Sequence, residues 1–270
     1  MMILERKQTV LVTGASSSLG RSVIEELSLR GHDVISTQHT DAGKPSYFDL
    51  SMPTVNSLPG FKIDSVVSIA WDMQGRSPAK QAQNVEGTLV LLKFATRNQA
   101  RFIFVSTNSA ESDGSEYGRA KLRAEDAVAQ YRKGVTIRAG ILIGANPTPI
   151  QSSISKLAIF PGICFHLHPD RTFDVSKVEQ IARVIAIICE GGTAISPRAE
   201  AMRLSNIVHL LAKPRLKLHL SVPWQIPYQL LRLADNVRCL KLPKSDSLLV
   251  LAQDERCRNG YVGDGDSVTT

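Results

Sequence analysis

The stretch that most constrains this chain is Thr9-Val-Leu-Val-Thr13, Gly14-Ala-Ser-Ser-Ser-Leu-Gly20 and the helical pattern from Leu19 to Arg30. An apolar run of five residues bounded by a glycine reads as a buried strand. Gly14 permits the tight turn that leaves the strand, and Gly20 lets the helix pack closely on the sheet. A third glycine, where such turns carry one, is replaced by Ser17. Strand, glycine turn and helix N-terminus in this order form a site for a dinucleotide pyrophosphate, because the unpaired N–H groups and the helix dipole favour an anion. Ser16, Ser17 and Ser18 are placed to donate hydroxyls to it, with Leu19 opening the helix.

The same rhythm continues. Strands are expected at 9–13, 33–37, 65–70, 102–106 and 135–138, and helices at 19–30, 80–98 and 115–131. Alternating strands and helices predict a doubly wound parallel sheet of the Rossmann-like α/β class. After about residue 140 the rhythm breaks. Pro147, Pro149, Pro161 and Pro169 mark a loop-rich stretch, followed by helices at about 175–190, near Glu200–Lys213 and near 226–235. We expect a dinucleotide-binding region over 1–145. Over 146–270 we expect a mixed region that adds late sheet elements and a small C-terminal substrate lobe. The polar, Gly-rich end from Asp254 to Thr270 reads as frayed.

Composition closes off several classes. With 43% hydrophobic and 21% charged residues in a chain of 270, the protein is of ordinary globular type. No apolar run reaches the ~18 residues of a membrane span, and no secretory signal pattern precedes the first strand. Four scattered cysteines without a CxxC pair read as reduced thiols, which favours a cytoplasmic location. Residues 1–130 balance 14 basic against 14 acidic side chains, whereas 131–270 carry 18 against 11. An anionic ligand held by the C-terminal half, a solvated basic face and an acidic membrane surface each account for that excess. Basic residues are not interleaved with aromatics, which argues against nucleic acid. His166 and His168 read as two imidazoles on a strand rather than a metal pair, since no acidic or cysteine partner stands at ligand spacing. No metal is expected.

The chemistry is carried by Tyr117-Gly-Arg-Ala-Lys121. A Tyr and a Lys four apart on a helix point the same way. A tyrosine, with an ordinary pKa of about 10, is a poor base at neutral pH until a fixed ammonium favours the phenolate. A nucleotide site together with a Lys-activated Tyr implies hydride chemistry. The second strand should reach the adenosine ribose. It ends in Gln38, which neither repels a 2′-phosphate nor invites one, so NAD and NADP remain open.

In order along residues 9–144, Thr13-Gly14…Gly20, Gly31-His32-Asp33, Asp49-Leu50, Val66-Val-Ser-Ile-Ala70, Asn84-Val-Glu-Gly-Thr88, Phe104-Val-Ser-Thr107, Tyr117…Lys121 and Arg138-Ala-Gly140 resemble the short-chain dehydrogenase/reductase superfamily. The match is to its extended NAD-dependent epimerase/dehydratase branch. A weaker likeness to the C-terminal lobe of bacterial surface-polysaccharide epimerases runs through Asp174-Val-Ser-Lys-Val178, Ser221-Val-Pro-Trp224 and Gly260-Tyr261.

The resemblance implies Tyr117 as the acid/base and Lys121 as the holder of the nicotinamide ribose. It implies Thr107 as the residue that orients the substrate oxygen, with Ser106 the neighbouring choice. Ala70 would line the ribose, Asp49 and Leu50 would cap the adenine, and Asn84 would sit near the active-site backbone. Each has a plainer reading: a turn for Asp49, a helix cap for Asn84, a strand end for Thr107. Trp71 would wall the substrate pocket or simply pack the core. Asn108 would join it on the substrate. Arg171 resembles a position that grips the pyrophosphate of a nucleotide sugar, against a surface arginine. The implied reaction is epimerisation, or a related oxidation or reduction, of a ring carbon of a nucleotide-linked sugar in polysaccharide biosynthesis. Alternatives are a reductase of a small carbonyl compound and a non-catalytic NAD(P)-binding module. A homodimer is compatible with all three.

Overall fold

A computed structural model describes residues 7–37, 48–50, 52–54, 58–72, 77–112, 115–156, 163–168, 170–193, 199–212 and 218–223. The chain divides into two compact units. The first comprises 1–148 with 174–200, and the second 149–173 with 201–270.

In the first unit, β1 (Thr9–Thr13), β2 (Asp33–Ser36), β3 (Ser65–Ser68), β4 (Arg101–Thr107) and β5 (Gly134–Ala139) form a parallel sheet in the order β2-β1-β3-β4-β5. The registers Thr9↔Asp33, Val10↔Ser65, Ser65↔Arg101 and Phe102↔Gly134 tie the five together. Successive strand residues point to opposite faces, so the apolar residues of β1, β3 and β4 divide between two cores. Val10, Val12, Val67, Ile103, Val105 and Ile137 pack with α1 (Ser18–Leu29) and α5 (Val178–Cys189) on one face. Leu11, Val66, Phe102 and Phe104 pack on the other with α2 (Pro78–Asn98) and α3 (Glu116–Ala129). Burying one such side chain is worth ~1.5–3 kcal/mol.

Serines start three of these helices. Ser17 accepts from Gly20 N–H at 2.9 Å, Ser77 from Lys80 N–H at 3.3 Å and Ser115 from Gly118 N–H at 3.2 Å. The end of α1 is closed by His32 N–H to Leu27 O at 3.1 Å and Gly31 N–H to Ser28 O at 3.0 Å. In α5 the cap position falls to Lys177, whose side chain makes no cap bond.

The stretch expected to be mostly loop is more regular than its prolines suggest. β6 (Ile141–Ile143) pairs in parallel with β8 (Thr172–Lys177) through Ile141↔Val175. In the second unit, α4 (Pro149–Lys156) starts on a proline, which is suited to a first helical turn. β7 (Ile163–His168) pairs in parallel with β10 (Leu218–Pro223), so His166 and His168 do lie on a strand. The segment read as one helix from Glu200 is instead β9 (Glu200–Arg203) followed by α6 (Leu204–Ala212). A distant aspartate decides this. Asp170 accepts from Ser205 N–H at 3.0 Å and from its hydroxyl at 2.6 Å, which caps the helix start there. Gln38, the helix expected near 226–235 and the C-terminal end lie outside the described residues.

Candidate active site

Strand order reverses between β1 and β3, and ligands of open α/β sheets bind at the carboxyl edge of that point. Gly14 lies there with φ at 74°. A Cβ on it would come within 2.8 Å of Ala70 N, and a Cβ on Gly20 within 2.2 Å of Gly14 O. Both glycines are therefore demanded by close approach of backbone to backbone. The result is a narrow turn ending at the α1 N-terminus, with Ala70 alongside. Thr13 fastens it, its hydroxyl accepting from Ile69 and Ala70 N–H at 3.2 and 3.3 Å.

The three serines of the turn have separate duties. Ser17 is the helix cap, and its hydroxyl also donates to Gly14 O at 2.8 Å. Ser18 donates to Asn146 O at 2.6 Å. Two of the three hydroxyls thus already have partners within the protein. Ser16 is exposed, and its carbonyl accepts from Arg21 Nη1 at 2.5 Å. Leu19 is buried in the core below. Leu50 packs against the α2–α3 core and fills the notch over Gly87, and Asp49 is half-buried beside it.

Around the next strand ends the structure gathers most of the remaining candidates. Tyr117 sits in the first turn of α3 and Lys121 one turn on. Lys121 is 4% exposed and donates from Nζ to Val105 O at 2.8 Å, two residues before Thr107 closes β4. This bond draws the start of α3 onto the end of β4. Gly118 makes the approach feasible, since a Cβ there would lie 2.1 Å from Ser109 O. Trp71 stands between: its ring is 3.9 Å from Lys121 Nζ and edge-on to Tyr117, with centroids 6.1 Å apart. Its Nε1–H donates to Gln81 Oε1 at 3.1 Å. Thr107 Oγ1 accepts from Ser109 N–H at 3.3 Å.

Asn84 is not a helix cap. It lies within α2, buried, and clasps Asp72 by accepting from its N–H at 2.8 Å and donating to its carbonyl at 3.0 Å. It thereby fixes the turn that carries Trp71. Asn108 donates to Asp174 Oδ2 at 2.7 Å. Arg171 belongs to the second unit, where its Nη1 is buried with no hydrogen-bond partner among the described residues.

Burial lowers the Lys121 pKa to about 7, and Glu125, one turn further on, opposes the shift. Glu125 itself is gripped by Arg138 through bonds of 2.6–3.1 Å. This pair and Gly118 are the site residues that sequence reading missed. Arg138 was visible only as part of a motif, and Gly118 only as a spacer between Tyr117 and Lys121.

A dinucleotide fits these residues. The turn leaves no room for side chains, and the buried hydroxyls of Ser68 and Ser106, at the ends of β3 and β4, have no hydrogen-bond partner among the described residues. No group of three or more His, Cys, Asp or Glu gathers as metal ligands, and no helix is long and apolar enough to cross a membrane, among the described residues.

The UDP-N-acetylglucosamine 4-epimerase of Bacillus cereus is 17% identical, with a TM-score of 0.60 over 80% of this chain and 89% of that one. The Bordetella bronchiseptica enzyme WbmH, solved with NAD+, is 15% identical, with a TM-score of 0.62 over 80% and 86%. RMD of Pseudomonas aeruginosa, solved with NADPH, is 18% identical, with a TM-score of 0.62 over 80% and 86%. These likenesses concern the fold. No curated protein matches the chain. The model of the NAD dependent epimerase/dehydratase family matches residues 10–148. The chain belongs to that family, an enzyme of the extended short-chain dehydrogenase type that uses NAD or NADP.

Proposed function

We propose that the protein epimerises, or otherwise oxidises or reduces, a ring carbon of a nucleotide-linked sugar. The observation that carries this is Lys121, one turn after Tyr117 on α3, donating to Val105 O two residues before Thr107 ends β4. In this reading Gly14, Ser16, Leu19, Gly20 and Ala70 hold the dinucleotide at the switch point, Asp49 and Leu50 lie toward its adenine, and Lys121 takes the nicotinamide ribose. When bound, the dinucleotide supplies the hydride acceptor and donor.

The protein's own groups handle the proton. Tyr117 removes it from the substrate hydroxyl and later returns it. The Lys121 ammonium favours the phenolate on which that depends. Thr107 shares the hydroxyl and turns its proton toward Tyr117. Trp71 and Asn108 bound the sugar. Arg171, whose buried Nη1 has no hydrogen-bond partner among the described residues, pairs with the pyrophosphate of the nucleotide.

A thermal-shift panel of UDP-, GDP- and dTDP-sugars, with and without NAD+ or NADP+, tests this reading. Stabilisation by at least one nucleotide sugar, weakened in Arg171→Ala, is expected. No response to any of them, together with turnover of simple ketones, would make the enzyme a small-carbonyl reductase. On the substrate so found, Tyr117→Phe should lower turnover by ~10²-fold or more and leave dinucleotide affinity nearly intact.

A further inference from the structure

A buried lysine without a carboxylate in contact is an expensive object. Among the described residues Lys121 has one direct hydrogen bond, to the Val105 carbonyl, and burial works against its charge. Yet the role assigned to it above needs the ammonium form. What meets the charge on its remaining sides is aromatic: the Trp71 ring at 3.9 Å from Nζ and the Phe104 ring at 4.7 Å. Both lie within the range at which a ring face attracts a cation, and the attraction is strongest for tryptophan at a desolvated site.

Trp71 is held for this by three neighbours. Gln81, fully buried in α2, takes the indole N–H. Asn84 clasps the next residue, Asp72, at both its N–H and its carbonyl. The Phe104 ring leans on the indole with centroids 6.1 Å apart.

We propose that Trp71 is a positioning residue for Lys121: its indole face, together with the Phe104 ring, takes the ammonium in place of solvent and keeps it charged beside Tyr117. The significance of this rests on Lys121 serving Tyr117 as read above. The ring contacts themselves do not. Other groups on the surrounding elements act alongside. On α3 they are Tyr117 and Glu125, the latter tied to Arg138 of β5. Beside the indole they are Asp72 and Lys80, paired at 2.7 Å. The remaining charges of α2, Glu86, Lys93 and Arg97, are exposed.

The test is a titration of the ligand-free full chain labelled with 13C-lysine. The Lys121 resonance is the one missing from Lys121→Met. In Trp71→Leu, Lys121 should titrate about one pH unit below wild type, the size expected of a desolvated ring–cation contact. In Trp71→Phe it should stay within a few tenths of a unit of wild type. Both variants lose the bond to Gln81, so their difference isolates the ring face. If Trp71→Leu titrates with wild type, or Trp71→Phe drops as far as Trp71→Leu, the proposal is overturned. Should Trp71→Leu fail to fold, the wild-type spectrum decides. The Lys121 ε-protons must lie clearly upfield of the other lysines, as a ring 3.9 Å away requires, and an ordinary shift refutes the contact. Failure to bind any dinucleotide would overturn the functional reading and would not touch this result.

Discussion

The two edges of the main sheet each bury a basic side chain, and they treat it in opposite ways. At the amino edge, His32 accepts from Gln8 N–H at 3.4 Å and meets Glu190 at 3.2 Å. Glu190 also pairs with Arg30 at 2.7 Å, and Arg30 with Glu26 at 2.9 Å. The network joins the ends of α1 and α5 to the starts of β1 and β2, and both sides of the imidazole are matched. At the carboxyl edge, Lys121 has one carbonyl and two rings, and the Ser68 and Ser106 hydroxyls are buried without partners among the described residues. The first arrangement closes the structure. The second leaves polar capacity unspent next to the glycine turn, which is the mark of a place built to receive something.

The largest expected effect breaks the receiving edge. Gly14→Val combines a left-handed φ with a Cβ 2.8 Å from Ala70 N. It should cost about 2 kcal/mol in urea unfolding and remove dinucleotide binding altogether. Next comes the closed edge. Glu190→Ala leaves His32, whose side chain is 2% exposed, without its partner. It should cost about 2 kcal/mol and leave dinucleotide affinity unchanged. The matching change at the other edge, Ser68→Ala, removes an unpartnered buried hydroxyl and should be neutral or stabilising by the same measurement. Equal losses at Glu190 and Ser68 would erase the contrast between the edges.

Lys121 adds a pH dependence of definite sign. Burial lowers its folded value to about 7 against 10.5 for an unperturbed lysine. Between those values the unfolded chain binds the extra proton, so stability rises with pH across that window. Below pH 7 both states are protonated and the full penalty is present. Relative to Lys121→Met, the wild type should therefore gain stability from pH 7 toward pH 10, as read by parallel urea unfolding curves. A modest gain is expected away from both edges. Lys177, at the cap position of α5 without a cap bond, replaced by Asp should add about 1 kcal/mol, because a carboxylate both caps and answers the helix dipole.

How legible all this was follows from the range of the interactions. The five strands and four helices around the glycine turn carry local signals, namely apolar runs of strand length and helical periodicity, and the structure has them within a few residues of where they were read. Tyr117 and Lys121 were legible because their relation is one helical turn. What escaped depends on partners far apart in sequence. Asp170 converts the start of an expected helix into a strand and a cap. Asn146 takes the Ser18 hydroxyl, and Arg138 takes Glu125. β6 and β8 become strands through each other, with paired residues 34 apart, in a stretch whose flanking prolines suggested loop. Trp71 shows the limit best: its place after Ala70 suggested a pocket wall or core packing, it packs against the α2–α3 core, and only the folded chain shows its ring on Lys121.

The most direct measurement is calorimetric titration of the wild-type chain with NAD+ and with NADP+, repeated on Lys121→Met. The account predicts saturable one-site binding of at least one dinucleotide by the wild type, and weaker binding by Lys121→Met because the nicotinamide ribose loses its ammonium. Absence of binding of both dinucleotides at millimolar concentration, in a protein shown to be folded, would contradict it.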